Sequence, residues 1–296
     1  MTCHFLHGSL RWLMLRFIFV NLCLLSAAAH GGTFACAISS ASGISLTYDP
    51  ASTTQTLGTG TVAITCTKSG SNSDTVYYEL GINGGINVSG LQSRAVDGVS
   101  AINYNTWRDN ASSQVWNDIS SNRIKGSLSS NSSSTVYVNY YVSIPSMQNV
   151  GAGTYLDTQT IKLYQGVTAS AASTDISPKV QTFGVSLTVA AKCTLSSPPG
   201  DVHFNYTSFQ TTASLASTSF AVTCLSNTTY TMALDSSTGA LLGLTYSLSL
   251  NKPGTQTGNG FSQSATINGS MASGQSGLCN GASCTASETR TLTISY

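Results

Sequence analysis

The feature that most constrains this chain is a pair of cysteines that occurs twice in similar surroundings. Cys36 and Cys66 lie 30 positions apart, and Cys193 and Cys224 lie 31 positions apart. The text around the second cysteine of each pair is alike, reading GTVAITCTKS in the first copy and TSFAVTCLSN in the second. Recurrence of both the spacing and the text indicates two copies of one domain.

Both copies continue with short segments in which apolar and polar residues alternate. TVYYELGI and TYTMALDS follow the second cysteines, INYNTWRD and LTYSLSLN come later, and the copies end on DTQTIKLY (157–164) and TRTLTISY (289–296). Gly, Asn, Ser and Pro separate these segments, and no helical period is visible after the N-terminal leader. The pattern predicts an all-β fold of two tandem sandwiches.

Residues 1–29 have the pattern of a secretory signal peptide. Two arginines flank the start of the apolar run FIFVNLCLLS, and AAA follows, with small residues at the positions that cleavage requires. The rest of the chain is divided by the repeat into two predicted domains, 30–178 and 179–296. The small, polar stretch 165–178 is interpreted as a linker at the end of the first domain.

Charge and cysteine usage exclude several classes of function. Once the signal segment is removed, ten basic residues face eleven acidic ones, so no basic excess is available for binding nucleic acid. Six cysteines remain, and an even number in an exported chain favours disulfides. A zinc site is the alternative, but only His30 and His203 could supply nitrogen ligands. The sequence therefore predicts no metal and no cofactor, with three disulfides: Cys36–Cys66, Cys193–Cys224 and Cys279–Cys284.

Three stretches of the chain resemble a known family. In the first, an alternating strand precedes a cysteine, and a Thr-Cys pair follows about 30 residues later. The second, NYNTWRDNASSQVWND (103–118), carries an aromatic–Asp pair before a second Trp. The third, VGAGTYLDTQTIKLY (150–164), forms the domain's ending. In these stretches the chain resembles the spore coat protein U (SCPU) domains, which are the pilin modules of archaic, Csu-type chaperone–usher pili. The resemblance extends over nearly all of the mature chain and is strongest in the first domain, because the second lacks the Trp–Asp motif.

The resemblance implies that each domain is an immunoglobulin-like sandwich without its last strand. A periplasmic chaperone fills the resulting groove transiently, and a strand from the next subunit fills it permanently in the fibre. Here a donor-like strand precedes Cys193, whereas only HGGTFA stands between the predicted cleavage site and Cys36. The apolar residues of that strand are expected either to complete the first domain or to begin the second: Phe183, Val185, Leu187 and Val189.

The second domain reaches Tyr296 with no further strand, so the sequence predicts an incomplete second sandwich that needs a donor strand. By the same resemblance, a C-terminal strand is expected to contact the chaperone through Leu292, Ile294 and Tyr296. A subunit that accepts a strand and donates none would stand at the end of a fibre. The hypothesis is therefore a tip adhesin, exported through the periplasm to the cell surface, that mediates attachment and biofilm formation. Its expected partners are the chaperone, an outer-membrane usher, a shaft pilin, and a surface or host ligand.

Two apolar loops of the first domain are candidate adhesive surfaces. Apolar side chains in loops are either tucked beneath a sandwich or exposed for contact. The sequence leaves both alternatives open for Ile82, Ile86 and Val88 in one loop, and for Ile144, Met147 and Val150 in the other.

Other polar and aromatic residues suggest no enzyme. Trp107 and Trp116 are interpreted as core residues, with a sugar-stacking platform as the alternative. Asp109 and Asp118 are interpreted as turn caps, because RDN and WND are turn-forming strings, with a hydrolytic carboxylate pair as the alternative. His203 lacks the nucleophile and orienting group that nucleophilic catalysis requires. Two alternative functions remain: a tandem-module pilin or coat protein without an adhesive role, and a secreted lectin.

Overall fold

The computed structural model describes residues 33–69, 75–129 and 133–296, so the predicted signal peptide lies outside the described part of the chain. The described fold is all-β apart from short helical turns, and its strands form two bodies, each with its own core. The strands of the first body are β1 (Thr33–Ala41), β2 (Ile44–Thr47), β3 (Thr56–Ser69), β4 (Thr75–Ile82), β5 (Ser93–Val96), β6 (Ala101–Trp107), β7 (Ile124–Ser129), β8 (Ser134–Ile144), β9 (Gly153–Gly166) and β10 (Lys179–Val189).

The strands of the first body lie in two layers. One layer is ordered β1-β3-β8-β6 and the other β2-β10-β9-β4-β7, and β5 links them by pairing with both β6 and β9. Successive side chains of a strand point to opposite faces, so alternating apolar residues of both layers meet between them. The buried core includes Ile64 of β3, Leu80 of β4 and Leu163 of β9.

The second body repeats this arrangement with fewer strands. Its strands are β11 (Cys193–Ser197), β12 (Ser214–Cys224), β13 (Thr229–Leu234), β14 (Thr238–Leu241), β15 (Leu244–Leu250), β16 (Thr255–Thr257), β17 (Ser262–Met271) and β18 (Leu292–Ser295). One layer is ordered β11-β12-β17-β15-β14 and the other β16-β13-β18. Phe220 and Val222 of β12 and Met232 of β13 are buried between the layers.

The stretch 165–178 is an ordered part of the first body. β9 continues to Gly166, and the five-residue helix α1 (Ala169–Ser173) then packs its fully buried Ala172 against the sheet. The Thr168 side chain caps this helix by accepting a backbone N–H hydrogen bond. These small residues therefore allow a helix to approach the sheet closely, and they do not form the free linker that their composition predicts.

The two bodies touch where β10 gives way to β11. The backbone N–H of Ala152 donates to the carbonyl of Ser226 at 2.8 Å. Nearby, the Lys192 ammonium lies 3.3 Å from the Asp49 carboxylate. The end of β10 at Val189 therefore marks the side of the first body that faces the second.

Candidate strand-acceptor site

The first body is completed by β10, the donor-like strand that precedes Cys193. β10 pairs antiparallel with β9 through eleven residue pairs, which is its whole length. Its other edge pairs in parallel with β2, where Val185 lies opposite Ile44. The strand thus fills the position between β9 and β2. Of the two alternatives that the sequence leaves open, the hydrogen bonding places β10 in the first body, beyond the expected boundary at residue 178.

The apolar side chains of β10 all enter the core of the first body. None of the four is more than 5% exposed: Phe183, Val185, Leu187 and Val189. The Phe183 ring lies 5.3 Å from the ring of Tyr140, centroid to centroid. Burial of one such side chain stabilises a fold by about 1.5–3 kcal/mol, so four of them contribute an amount similar to the net stability of a typical domain. The first body is therefore not expected to fold without this strand.

A hydrogen-bonded corner beside β2 recurs in the second body. The hydroxyl of Tyr48 donates to the first carbonyl after β8 at 3.0 Å and accepts from the N–H three residues farther on at 2.8 Å. The hydroxyl of Tyr206 makes the same two bonds after β17, at 2.8 and 2.9 Å. The two tyrosines therefore occupy equivalent positions, and the segment 202–206 is the counterpart of Ile44 to Tyr48.

This counterpart of β2 has no strand partner in the second body. Val202, Phe204 and Tyr206 are half-buried and alternate with exposed residues, as a strand would, yet the segment forms no ladder with any described strand. β18 likewise pairs only with β13, so its other edge carries no ladder within the described residues. The first body holds β10 between the equivalent two segments. The described part of the second body has no strand in that position.

A second repeated contact aligns β9 of the first body with β18 of the second. The hydroxyl of Tyr104 donates to the Asp157 carboxylate at 2.6 Å, and that of Tyr246 donates to Glu288 at 2.7 Å. Burial, and then the adjacent carboxylate, raises the pKa of both tyrosines, so each hydroxyl keeps its proton and donates. These contacts align DTQTIKLY (157–164) with residues 288–295. The similarity of the sequences had aligned it with TRTLTISY (289–296), which is one residue later.

The corrected alignment places the predicted C-terminal contact residues. Leu292 and Ile294 take the inward positions of Ile161 and Leu163, and both pack against the second core. Ile161 and Leu163, which lie beside β10, are fully buried, whereas Leu292 and Ile294 are only half-buried. Tyr296 follows the last strand residue and is 61% exposed. Equivalent side chains are thus buried beside a covering strand and partly exposed without one.

Three disulfides join the cysteines in the pairs that their spacing predicts. Cys36–Cys66 and Cys193–Cys224 each link directly opposed residues of two neighbouring strands, β1 with β3 and β11 with β12. Cys279–Cys284 closes a short loop in the irregular segment before β18. The equivalent placement of the first two bonds agrees with the repeat.

Only half of the candidate adhesive residues are accessible. Ile82 and Ile144 are the last residues of β4 and β8, and both are fully buried. Val150 is also buried, at 7% exposed. These three side chains belong to the core of the first body and cannot make a contact surface.

The accessible candidates are Ile86, Val88 and Met147, at 71%, 42% and 67% exposed. The loop that carries Ile86 is supported from beneath by the buried carboxylate of Asp157. This carboxylate accepts hydrogen bonds from the backbone N–H groups of Ile86 and Asn87, at 3.1 and 3.3 Å. The loop therefore presents its apolar side chains on a hydrogen-bonded base.

The remaining candidate residues have structural contacts. Trp116 is fully buried and donates its indole N–H to a backbone carbonyl, and Trp107 donates to a serine hydroxyl. Asp109 caps a turn by accepting two backbone N–H bonds. Asp118 differs from the expected turn cap, because it forms an ion pair with a lysine at 2.6 Å. The His203 side chain is 82% exposed and lies 3.8 Å from an exposed aspartate.

The described residues also bear on metal binding and on membrane crossing. No group of three or more His, Cys, Asp or Glu side chains there is placed to hold a metal ion. No helix in the same part of the chain is long and apolar enough to cross a membrane. The geometry that stands out is instead the strand position between β18 and the segment 202–206.

Comparison with protein families matches residues 24–162 and 179–256 to the Spore Coat Protein U domain. The chain belongs to this family. The second SCPU match begins at Lys179, which is the first residue of β10. By sequence, therefore, the strand that completes the first body is the start of the second SCPU unit. The sequence repeat and the folded bodies are offset by one strand.

Several solved pilus proteins match this SCPU protein over most of its length. The CsuC–CsuE chaperone–tip adhesion subunit pre-assembly complex of Acinetobacter baumannii matches at 15% identity, 88% of this chain, 100% of that chain and a TM-score of 0.39. The CupB6 tip adhesin of Pseudomonas aeruginosa matches at 9% identity, over 90% of this chain and 95% of that chain, with a TM-score of 0.39. The CfaE adhesive subunit of CFA/I fimbria of enterotoxigenic Escherichia coli matches at 8% identity, over 87% of this chain and 98% of that chain, with a TM-score of 0.32. Among curated proteins, none matches the chain.

Proposed function

We propose that this SCPU protein is the tip adhesin subunit of an archaic chaperone–usher pilus and mediates surface attachment and biofilm formation. In this arrangement the second body joins the chain to the shaft, and the first body faces the surface to be bound. The observation that carries the proposal is the use of β10. The first body holds this strand between β9 and β2, and the second body has the two flanking segments with no described strand between them.

The free edge of β18 has the properties of a strand-addition site. Its unpaired backbone groups can accept another strand, and half-buried Phe204 and Leu292 offer apolar contacts to alternate side chains of that strand. A strand antiparallel to β18 and parallel to 202–206 would reproduce the geometry of β10. We assign this position to a periplasmic chaperone before assembly, and to the N-terminal strand of a shaft pilin after transfer at the usher.

The commitment of β10 within the chain supports a terminal position in the fibre. All four of its apolar side chains are buried in the first body, so this strand is not available to another subunit. The chain then accepts a strand through its second body while its first body is already complete. The exposed side chains of Ile86, Val88 and Met147 on the first body are then available for contact with a surface.

The strand-acceptor part of the proposal is tested by adding a strand to the second body. A copy of residues 180–189, fused after Tyr296 through a flexible Gly/Ser connection, is expected to make the mature chain a stable monomer. Without the fusion, the chain is expected to aggregate or polymerise, because the β18 edge and its apolar neighbours stay exposed. Size-exclusion chromatography with light scattering measures the difference.

The matched control is a fused strand in which each of the four inward apolar residues is exchanged with its preceding neighbour. This change keeps the composition but moves every apolar side chain to the outer face, so it should not rescue the monomer. A mature chain that is monomeric without any fusion, and whose β18 amides resist hydrogen exchange, would contradict the proposal.

The adhesive part is tested on cells that display the assembled pilus. Replacing both Ile86 and Val88 with Ser should reduce attachment to a surface at least several-fold while pilus number, counted by electron microscopy, stays unchanged. Leu215→Ser is the control, because Leu215 is an exposed apolar residue, 77% accessible, on the second body. Unchanged attachment of the double variant would place the contact outside this loop.

A further inference from the structure

A cleft on the first body has no role in strand addition. It encloses about 260 Å³ between the outer face of β4 and β7 and the helix α1. Its lining includes the side chains of Tyr77, Lys125 and Ser127 on the strands and of Ala169 on the helix, with Glu79 at its base. This volume is below the range of about 300–1,000 Å³ typical of drug-sized ligands, so it suits one sugar-sized ring.

The cleft lies at the end of the first body that is remote from the second. Tyr77 and Glu79 pair with the C-terminal end of β9, next to the residue that faces Lys179 at the start of β10. β10 then runs eleven residues to Val189 at the junction with the second body. At about 3.3 Å per residue, the cleft stands roughly 30 Å from that junction. In the proposed tip subunit this end faces outward.

The charges around the cleft leave a cation facing its opening. The Glu79 side chain is only 3% exposed, and its carboxylate lies 2.8 Å from the Lys125 ammonium and 3.3 Å from the Arg123 guanidinium. Arg123 also contacts Asp118, which pairs with Lys162, so three cations share two carboxylates. The Lys125 side chain is 50% exposed. An ammonium has three donors, and Glu79 uses only one of them.

The walls of the cleft are held by contacts within the first body. The Ser173 hydroxyl at the end of α1 donates to the Glu79 carboxylate. Burial raises the pKa of Glu79, but the hydrogen bonds from Lys125 and Ser173 outweigh it and leave the pKa below its ordinary value. Glu79 is therefore ionised at neutral pH and keeps the Lys125 ammonium at the edge of the cleft. The arrangement is pre-organised for an anionic group.

We propose that this cleft binds a single acidic sugar residue, with the carboxylate of the sugar on Lys125 and its ring beside Tyr77. A sugar ring has apolar C–H faces that suit the aromatic ring and the small Ala169 wall, while its hydroxyls can bond to Ser127. A neutral sugar would leave the spare donors of Lys125 unused. The inference deepens the proposed function and rests on it for the role of the bound sugar, but the binding itself does not require a pilus.

The binding test uses the mature chain with the strand 180–189 fused after Tyr296, which is the form expected to be monomeric, and sugars of known charge. Glucuronate, galacturonate and N-acetylneuraminate are the acidic probes, and glucose and galactose are the neutral ones. Isothermal titration or saturation-transfer NMR at low salt should show at least ten-fold tighter binding of one acidic sugar than of either neutral sugar. Raising the salt concentration should weaken that binding, because it depends on a half-exposed charge.

Two variants assign any binding to the cleft. Lys125→Gln should weaken the acidic sugar at least ten-fold, whereas Lys179→Gln, which removes an exposed lysine from the same body, should leave it unchanged. Ala169→Phe keeps Lys125 and blocks the cleft, so it should also abolish binding and serves if Lys125→Gln fails to fold.

Equal binding of acidic and neutral sugars, no binding of any probe, or binding that survives both cleft variants would overturn the inference. These outcomes are independent of the proposed function, because the strand-fusion experiment tests only the second body. A monomeric unfused chain that binds glucuronate through Lys125 would refute the tip-subunit proposal and keep the cleft. A fused chain that becomes monomeric but binds no sugar would support the strand-acceptor proposal and refute the cleft.

Discussion

The two bodies of this chain share one set of contacts and differ in one strand. Tyr48 and Tyr206 form the same hydrogen-bonded corner. Tyr104 and Tyr246 each donate to a carboxylate, which belongs to β9 in the first body and precedes β18 in the second. In the first body β10 closes the layer between β9 and β2. In the second body the flanking segments are present, but no described strand lies between them.

This difference is visible in the side chains that flank the position. Ile44 and Tyr48 are buried in the first body, whereas their counterparts Val202 and Tyr206 are only half-buried in the second. The repeated corner shows that the second body keeps the local geometry of the first without the strand. The strand therefore contributes core burial and edge pairing, whereas the corner geometry forms without it. The following predictions test this difference between the two bodies.

The largest effect is expected from a charge on the inner face of β10. Leu187→Asp places an unpaired carboxylate in the core of the first body, where Leu187 is fully buried. We expect it to lower the free energy of unfolding of this body by about 4 kcal/mol or more. Thr182→Asp, on the exposed side of the same strand, should change it little. Thermal unfolding measured by circular dichroism distinguishes them, and similar losses for both would show that β10 does not depend on its inner face.

Disulfide removal should affect the two bodies equally. Cys36–Cys66 and Cys193–Cys224 close loops of 30 and 31 positions, so replacing either pair with Ala should cost about 3–4 kcal/mol in the chain-entropy model. The five-position loop of Cys279–Cys284 should contribute about 2 kcal/mol. Chemical denaturation of the three double variants checks the order. A larger loss at Cys279–Cys284 than at the other bonds would contradict it.

Removing the hydroxyls of the corner tyrosines should destabilise the two bodies to different extents, and by less than the changes above. Tyr48→Phe removes a hydroxyl that serves two backbone groups beside a buried ring, so we expect a loss of about 1–3 kcal/mol. Tyr206→Phe breaks the same bonds at a half-buried position, where water can replace them, and should cost less than about 1 kcal/mol. Hydrogen exchange of Gln148 and Gln275 amides reports on each corner separately. Equal losses would mean that the second corner is as well covered as the first.

The smallest effect concerns acid stability of the first body. The pKa of Glu79 lies below its ordinary value of 4.5, so its stabilising contribution is present above that pH and is lost as the pH falls through the folded-state pKa. Wild-type stability should therefore fall more steeply between pH 5 and pH 3 than that of Glu79→Gln. Asp201→Asn, at an exposed site, should keep the wild-type slope. Identical slopes for all three would show that the Glu79 contacts add nothing to acid stability.

Much of the fold follows from patterns that are local in the sequence. Alternating residues from 183 to 189 predict a strand with four inward side chains, and paired cysteine spacings predict the bonds that the structure contains. Ile144 and Val150 show the limit of this reasoning. An apolar residue beside Pro or Gly looks like part of an exposed loop, but whether it is buried depends on which strands pass over it.

The sequence by itself determined an all-β chain with two related SCPU units, three cysteine pairs and a donor-like strand at the start of the second unit. Only the tertiary structure decided that this strand belongs to the first body, because its ladder partners in β9 and β2 lie at least 16 and 141 residues away along the chain. It also decided the one-residue alignment of the last strands, since a shift of one residue exchanges the two faces of a strand. The text could not reveal that shift, whereas the bonds of Tyr104 and Tyr246 do. Side-chain alternation is a property of the local chain, and the choice of partner is a property of the packed sheets.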